Sequence, residues 1–243
     1  MNYPNPQIAF QSLSPDYFTC YAELLMADTW QQLEIYAGIT PADCTEFLGE
    51  FGAKFKLAAE KSNKRKAKQF APISQETMAL VHEIVQDFAL DRDSISLVPF
   101  NGQGSPAAAD DYTIYLDEEN LTSFSPEAQR FVIAHELIHC KFKDHSLESA
   151  LSNLVDYKDK VQKKCMHMFA RSTEFRADIN AMLKSLHYTK GAICFFKELI
   201  ERYGDDMCAT HPRPSDRLKI AQDMLAMHIE QEQLQFCSKA LPL

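Results

Sequence analysis

Residues 131–142 read FVIAHELIHCKF, a largely apolar stretch that places two histidines, His135 and His139, four residues apart, with Glu136 directly after the first. Polar side chains inside a helix that needs a dry face are costly unless something compensates them. The helical reading itself is firm. Ser125 suits the N-cap, Pro126 the first helical position, and Glu127 the positive end of the helix dipole. At about 100° per residue, His135 and His139 share a face one turn apart. That spacing lets two imidazoles reach one zinc ion, while Glu136 can take a proton from a metal-activated water. Two core histidines with local partners are the plain alternative. A chance HExxH pattern turns up in about two chains per hundred at this composition, so the motif needs companions.

Two companions lie downstream. STEFRADINAML, residues 172–183, puts Glu174 and Asp178 four apart on one face of a second helix. Glu174 could close the coordination sphere as a third ligand, and Asp178 could accept the free ring N–H of a zinc histidine. Solvated carboxylates paired with Arg171 or Arg176 are the competing reading. THPRPSDRL, residues 210–218, is stiffened by Pro212 and Pro214, and Ser215 is the expected cap of a following helix. It could aim His211 at the oxyanion formed when a carbonyl is attacked, and Arg217 could pair with a site carboxylate. A nearby tyrosine such as Tyr188 is the other candidate for the oxyanion.

The rest of the chain is consistent with one soluble catalytic unit plus an extension. Of 243 residues, 46% are hydrophobic and 24% charged, the balance of a globular protein. With only 7 Gly and one Trp, a turn-rich all-β fold is disfavoured, and a net charge of -9 argues against nucleic acid as the main partner. The 7 Cys are odd in number, lack a CxxC pair, and lie mostly in apolar segments such as those around Cys140, Cys165 and Cys194. Buried free thiols in a reducing compartment are expected. No signal-like leader opens the chain and no run approaches a membrane span, so the expected location is cytoplasmic, leaderless export aside.

Residues 1 to about 15 read as irregular. Helical spacing runs from Asp16 to about Glu60, with Thr40 capping a second helix that starts at Pro41. The basic run of Lys61, Lys64, Arg65, Lys66 and Lys68 reads as a solvated helix face or linker and marks a soft boundary. Ser74 caps a helix with a stripe of Met78, Val81, Ile84, Val85 and Phe88. SISLVPF and YTIYL read as short strands flanking a loop, FNGQGSPAAADD, and YTIYL is a candidate edge for pairing with an extended substrate. Helix is expected from Leu147 to about Ser185 with a break between Ala170 and Thr173, then over TKGAICFFKELIERY up to Gly204, then after Ser215.

HELIH, EFRAD and THPRPSDRL, in that order, resemble the HtpX and CAAX-prenyl-protease family of gluzincin zinc peptidases, over about Ser74 to Ala226. The resemblance implies His135, His139 and Glu174 as ligands of one zinc ion, Glu136 as general base, Asp178 behind the ligands, and His211 and Arg217 bordering the site. Three departures stand out. Larger relatives are membrane-embedded, the usual Gly before the second histidine is Ile138 here, and no role falls to His145. The first 70 or so residues carry no resemblance.

The expected fold is α+β and mostly helical. A gluzincin-like zinc peptidase domain over 71–243 has a small short-stranded sheet packed on the HExxH helix, and a helical extension covers 1–70. The expected function is that of a zinc metalloendopeptidase acting on a protein or peptide substrate. The alternative is a catalytically inactive gluzincin-fold binding module with a structural or vestigial zinc. An N-terminal latch over the cleft is compatible with the resemblance. A peptide deformylase would also use HExxH, but its Gly-Cys-Leu-type ligand loop is absent.

Overall fold

The computed structural model describes residues 14–66, 69–102, 104–206 and 208–240. The elements run α1 (Pro15–Ala37), α2 (Pro41–Lys66), α3 (Gln75–Asp87), β1 (Ser96–Pro99), β2 (Ala107–Ala109), β3 (Thr113–Leu116), α4 (Glu118–Thr122), α5 (Pro126–Phe142), α6 (Asp144–Leu154), α7 (Lys160–Leu183), α8 (Leu186–Tyr203) and α9 (Pro214–Ala240). The chain is mostly helical with one small sheet. No helix among the described residues is long and apolar enough to cross a membrane.

α5 is the centre. Phe131, Ile133, Ala134, Leu137 and Ile138 are all buried, so the helix is apolar nearly all round and packs on α3, α7, α8 and the sheet. α8 comes closest, because Gly191 has no side chain: a Cβ there would stand 2.3 Å from the Glu127 carbonyl oxygen. The three strands run in the order β1-β3-β2, with β1 parallel and β2 antiparallel to β3. β3, the YTIYL strand, is therefore the middle strand and not an edge. The edge beside α5 is β2, which lies inside the segment expected to be loop. Its Ala-Ala-Ala sequence has no strand signature, and pairing of Ala107 with Leu116 and Ala109 with Ile114 makes it a strand.

The helix starts use borrowed carboxylates. Ser74 caps α3 by accepting from the Thr77 N–H at 3.1 Å, and Glu118 of α4 in turn accepts from the Ser74 N–H and from the Ser74 and Thr77 hydroxyls. Ser125 holds the N-cap position of α5 but makes no side-chain cap bond. Its hydroxyl donates to Glu198 of α8 at 2.5 Å. Thr40 and Asp43 cap α2 reciprocally, at 2.6 Å for Thr40 N–H to Asp43 and 3.4 Å for the return bond. α9 begins one residue before its expected cap: Pro214 takes the first turn, and the Ser215 N–H donates to Asp205 at 2.7 Å.

The expected break between Ala170 and Thr173 does not occur. α7 is continuous, and the interruption lies between Leu154 and Lys160, where Asp159 caps α7 by accepting from the Val161 and Gln162 N–H groups. Arg171–Thr173 lacks a Gly or Pro, and Ser172 and Thr173 are tied to carbonyls of the preceding turn, so nothing there stops the helix.

α1 lies along α7. Met26, Leu33, Cys44, Leu151, Met166 and Phe169 form a second core, Trp30 meets Phe169 edge-on at 5.1 Å, and the Thr29 and Ser172 hydroxyls are 2.8 Å apart. Residues 1–13 and the side chains of the basic run from Lys64 to Lys68 lie outside the described residues; the backbone of α2 is helical through Lys66. Of the described cysteines, all free, Cys44, Cys140 and Cys165 are buried, Cys194 is half-buried, and Cys20 and Cys208 are exposed.

Candidate metal centre

One turn of α5 and one turn of α7 face each other at the floor of a cleft of about 600 Å³. His135, His139 and Glu174 meet there, with one ligand atom from each within 4.8 Å of the others. The two Nε2 atoms are 3.0 Å apart, His135 Nε2 is 3.4 Å from Glu174 Oε2, and His139 Nε2 is 3.6 Å from Glu174 Oε1. A tetrahedral ion with ligand bonds of about 2.1 Å separates its donors by about 3.4 Å. The three residues therefore have the spacing and the chemistry of a metal-binding set.

The outer nitrogens fix the tautomers. His135 Nδ1 lies 2.9 Å from Asp178 Oδ1 and His139 Nδ1 lies 2.8 Å from Asp144 Oδ2. A carboxylate only accepts, so each Nδ1 carries a proton and donates it, and each Nε2 is turned inward. Two inward nitrogens and a carboxylate call for a positive charge between them. Glu174 Oε2 is buried and makes no hydrogen bond. Arg217 Nη2 stands 3.3 Å away as an ion-pair neighbour without hydrogen-bond alignment.

Asp178 is held by Arg217 of α9, which donates from Nε at 2.6 Å and from Nη2 at 2.7 Å. Arg217 is buried, and its guanidinium also stacks 4.7 Å over Phe196. Asp144 is held by Arg176 of α7. Arg176 thus turns to Asp144, away from the carboxylates it was weighed against in the sequence. Asp144 itself carries no periodic signal. It reaches back to His139 because Lys143, between α5 and α6, is left-handed with φ 55°, which reverses the chain just after α5. An acid immediately past the end of a histidine-bearing helix was the one available cue.

The charges shape every proton in the site. Burial works to strip the proton from His135, but Asp178 and Glu174 outweigh it and push its pKa up to about 10. His139 is also raised, burial being outweighed by Asp144. Burial opposes the charge on Glu174, yet His135, His211 and Arg217 hold its carboxyl well below the usual range. Glu136 goes the other way. Burial lifts its pKa, its carboxylate makes no hydrogen bond among the described residues, and it lines the same cleft.

His211 borders the centre from the loop before α9. Its Nε2 is 3.4 Å from Glu174 Oε1, its Nδ1 is 2.9 Å from the Thr210 hydroxyl, and its side chain is 55% exposed. Cys208 accepts from the His211 backbone N–H at 3.2 Å; burial resists its ionisation, but this and neighbouring hydrogen bonds draw the thiol down to about 7. Tyr188 does not belong to the cleft. It is buried in the core and donates to Asp87 at 2.6 Å, and Tyr203 is the tyrosine of the cleft wall. His145 and Glu148 of α6 also line the cleft, and neither was assigned a part from sequence. α1 and α2 supply none of its lining; α1 meets the α7 face of Phe169 and Ser172, about 140–160° round the helix from Glu174, and α2 packs on α6 and β1.

Neither family models, nor curated proteins, nor solved structures yield a match to this chain.

Proposed function

We propose that the chain is a zinc metalloendopeptidase that hydrolyses peptide bonds with Glu136 as general base. The observation that carries this reading is the coincidence, on one cleft floor, of two inward imidazole nitrogens, a buried carboxylate oxygen that accepts no hydrogen bond, and an uncommitted glutamate next to the first histidine. The order of HELIH, EFRAD and THPRPSDRL, resembling the HtpX and CAAX-prenyl-protease family, supports it.

His135, His139 and Glu174 would hold the zinc, two neutral imidazoles and a carboxylate forming an N,N,O set suited to that ion. Bound there, zinc supplies Lewis acidity, polarising a carbonyl and bringing the pKa of water toward about 7. Asp178 and Asp144 keep both rings in the ligating tautomer, and Arg217 and Arg176 keep those two carboxylates in place. Glu136 takes the proton from the attacking water and gives it to the leaving amine. Its raised pKa brings it nearer the operating range for such an exchange. His211 donates to the oxygen of the attacked carbonyl. The open edge of β2, on the cleft wall, aligns an extended peptide by backbone pairing.

Glu136→Gln is the direct test. The variant should keep one metal ion per chain by elemental analysis and lose peptide hydrolysis by at least about a hundredfold. Hydrolysis at the native rate in that variant would remove Glu136 as the base, and a metal-free native protein after zinc supplementation would remove the centre.

A further inference from the structure

Two acidic residues of the cleft lining have no task in the metal centre or as general base: the exposed Asp206 and the half-buried Glu148. Glu148 is the one beside the candidate ligands. It sits on α6 four residues after Asp144, so the two carboxylates share a helix face one turn apart. Asp144 is spent on His139 and Arg176. Glu148 Oε1 accepts a single bond, from the Thr173 hydroxyl at 3.1 Å, which anchors it beside Glu174. No described residue donates to its other oxygen, and the side chain is half-buried in the cleft lining.

The two buried arginines behind the site are committed elsewhere. Arg217 serves Asp178 and Glu174, and Arg176 serves Asp144. Neither guanidinium pairs with Glu148, and burial together with the neighbouring Glu174 and Asp144 raises its pKa, a penalty that a cation beside it would offset. A half-buried carboxylate with an open oxygen and no guanidinium partner is a receptor for a cation. The far wall is of another kind: Phe131, Val132, Phe195 and Leu199 present an apolar surface to the same cleft.

We propose that Glu148 forms a subsite for a cationic substrate group, so that the cleft selects peptides placing a lysine, an arginine or a free α-amine close to an apolar residue. The selection of a substrate rests on the peptidase reading; the binding preference does not. A side-chain ammonium and an α-amine share the recognised chemistry, and acetylation separates them.

The probe is a set of dye-labelled ten-residue peptides on an alanine frame with one phenylalanine. A single lysine or its uncharged isostere norleucine is moved through the remaining positions, with the N-terminus free or acetylated. Binding is read by fluorescence anisotropy on the full chain carrying Glu136→Gln and loaded with zinc, so that no peptide is consumed. The best lysine peptide, or the free-amine member, should bind at least tenfold tighter than its uncharged counterpart. Glu148→Gln should abolish that ratio while leaving the norleucine peptides within about twofold, and Glu148→Lys should favour a glutamate peptide instead. Equal binding of lysine and norleucine members, a ratio that survives Glu148→Gln, or no binding of any cationic member overturns the proposal. The native comparison stands even if a Glu148 variant misfolds. Cleavage of the same peptides by the native zinc-loaded chain reads the other claim separately. Charge-selective binding without cleavage sinks the peptidase reading and keeps the subsite, and cleavage without charge preference does the reverse.

Discussion

In the metal-free chain the His135 ring stands between Asp178 and Glu174, whose charges hold a proton on it up to about pH 10. The same charges favour a divalent cation, so proton and metal compete for one place. A ligating imidazole must be neutral, and metal binding therefore expels the proton. The sign follows: below about pH 10 the protonated ring resists the metal, and apparent affinity should climb as pH rises from 6 to 9. Calorimetric titration of zinc at pH 7 in buffers of different ionisation enthalpy should show release of about one proton or more per ion. No proton release would mean that His135 is not a ligand. The pair of histidines and the Glu174–Asp178 pair were legible because helical spacing alone puts each pair on one face. Asp144 was not, since its place depends on the left-handed Lys143.

At the level of elements, the approach of α5 and α8 decides how well the site is held. α8 supplies Phe195 and Leu199 to the cleft and Glu198 to the start of α5. Gly191 allows that approach, and Gly191→Ala would set a Cβ against the Glu127 carbonyl and the Phe131 side chain. The neighbour there is backbone that cannot turn aside. The expected cost is about 1–3 kcal/mol, the range for overpacking a core. For a chain of this length that lowers the melting temperature by several degrees, read by circular dichroism. An unchanged melting temperature would show that the helices separate freely. Most helices were readable from caps and apolar stripes: Ser74, Pro126, Pro41 and Gly204 mark four ends at or next to their observed places. The β2 strand was not, because Ala107–Ala109 has neither alternation nor branched residues and owes its form to β3. The misplaced break in the α6–α7 region has a similar origin. Ser172 and Thr173 look like turn residues, yet one hydroxyl faces Thr29 of α1 and the other Glu148 of α6, inside a continuous helix.

For the whole molecule, the metal would act as a cross-link. Its candidate ligands come from α5 and α7, so a single ion would tie the two helices together. Zinc at about a hundredfold over its dissociation constant should add about 2.7 kcal/mol to the folded state. Thermal unfolding with zinc and with chelator should differ by roughly 5–10 °C, and Glu174→Ala should erase most of the difference. Equal melting curves for the native chain would leave the centre without a bound ion. The first helix, α1, packs on α7 through Leu33, Trp30 and Thr29, on a face turned from the cleft.

Residue spacing along the chain was enough for the mostly helical class and the pairing of donors on each helix, because a helix converts sequence separation into a fixed angle. It could not say that the two donor faces meet, that β2 lines the cleft, that Arg217 and Asp144 stand behind the histidines, or that α1 braces α7. Those contacts join residues tens of positions apart, save Asp144 to His139, five apart. They depend on how helices pack around the apolar sides of α5 and on one reversal of the chain at Lys143, which no local periodicity encodes.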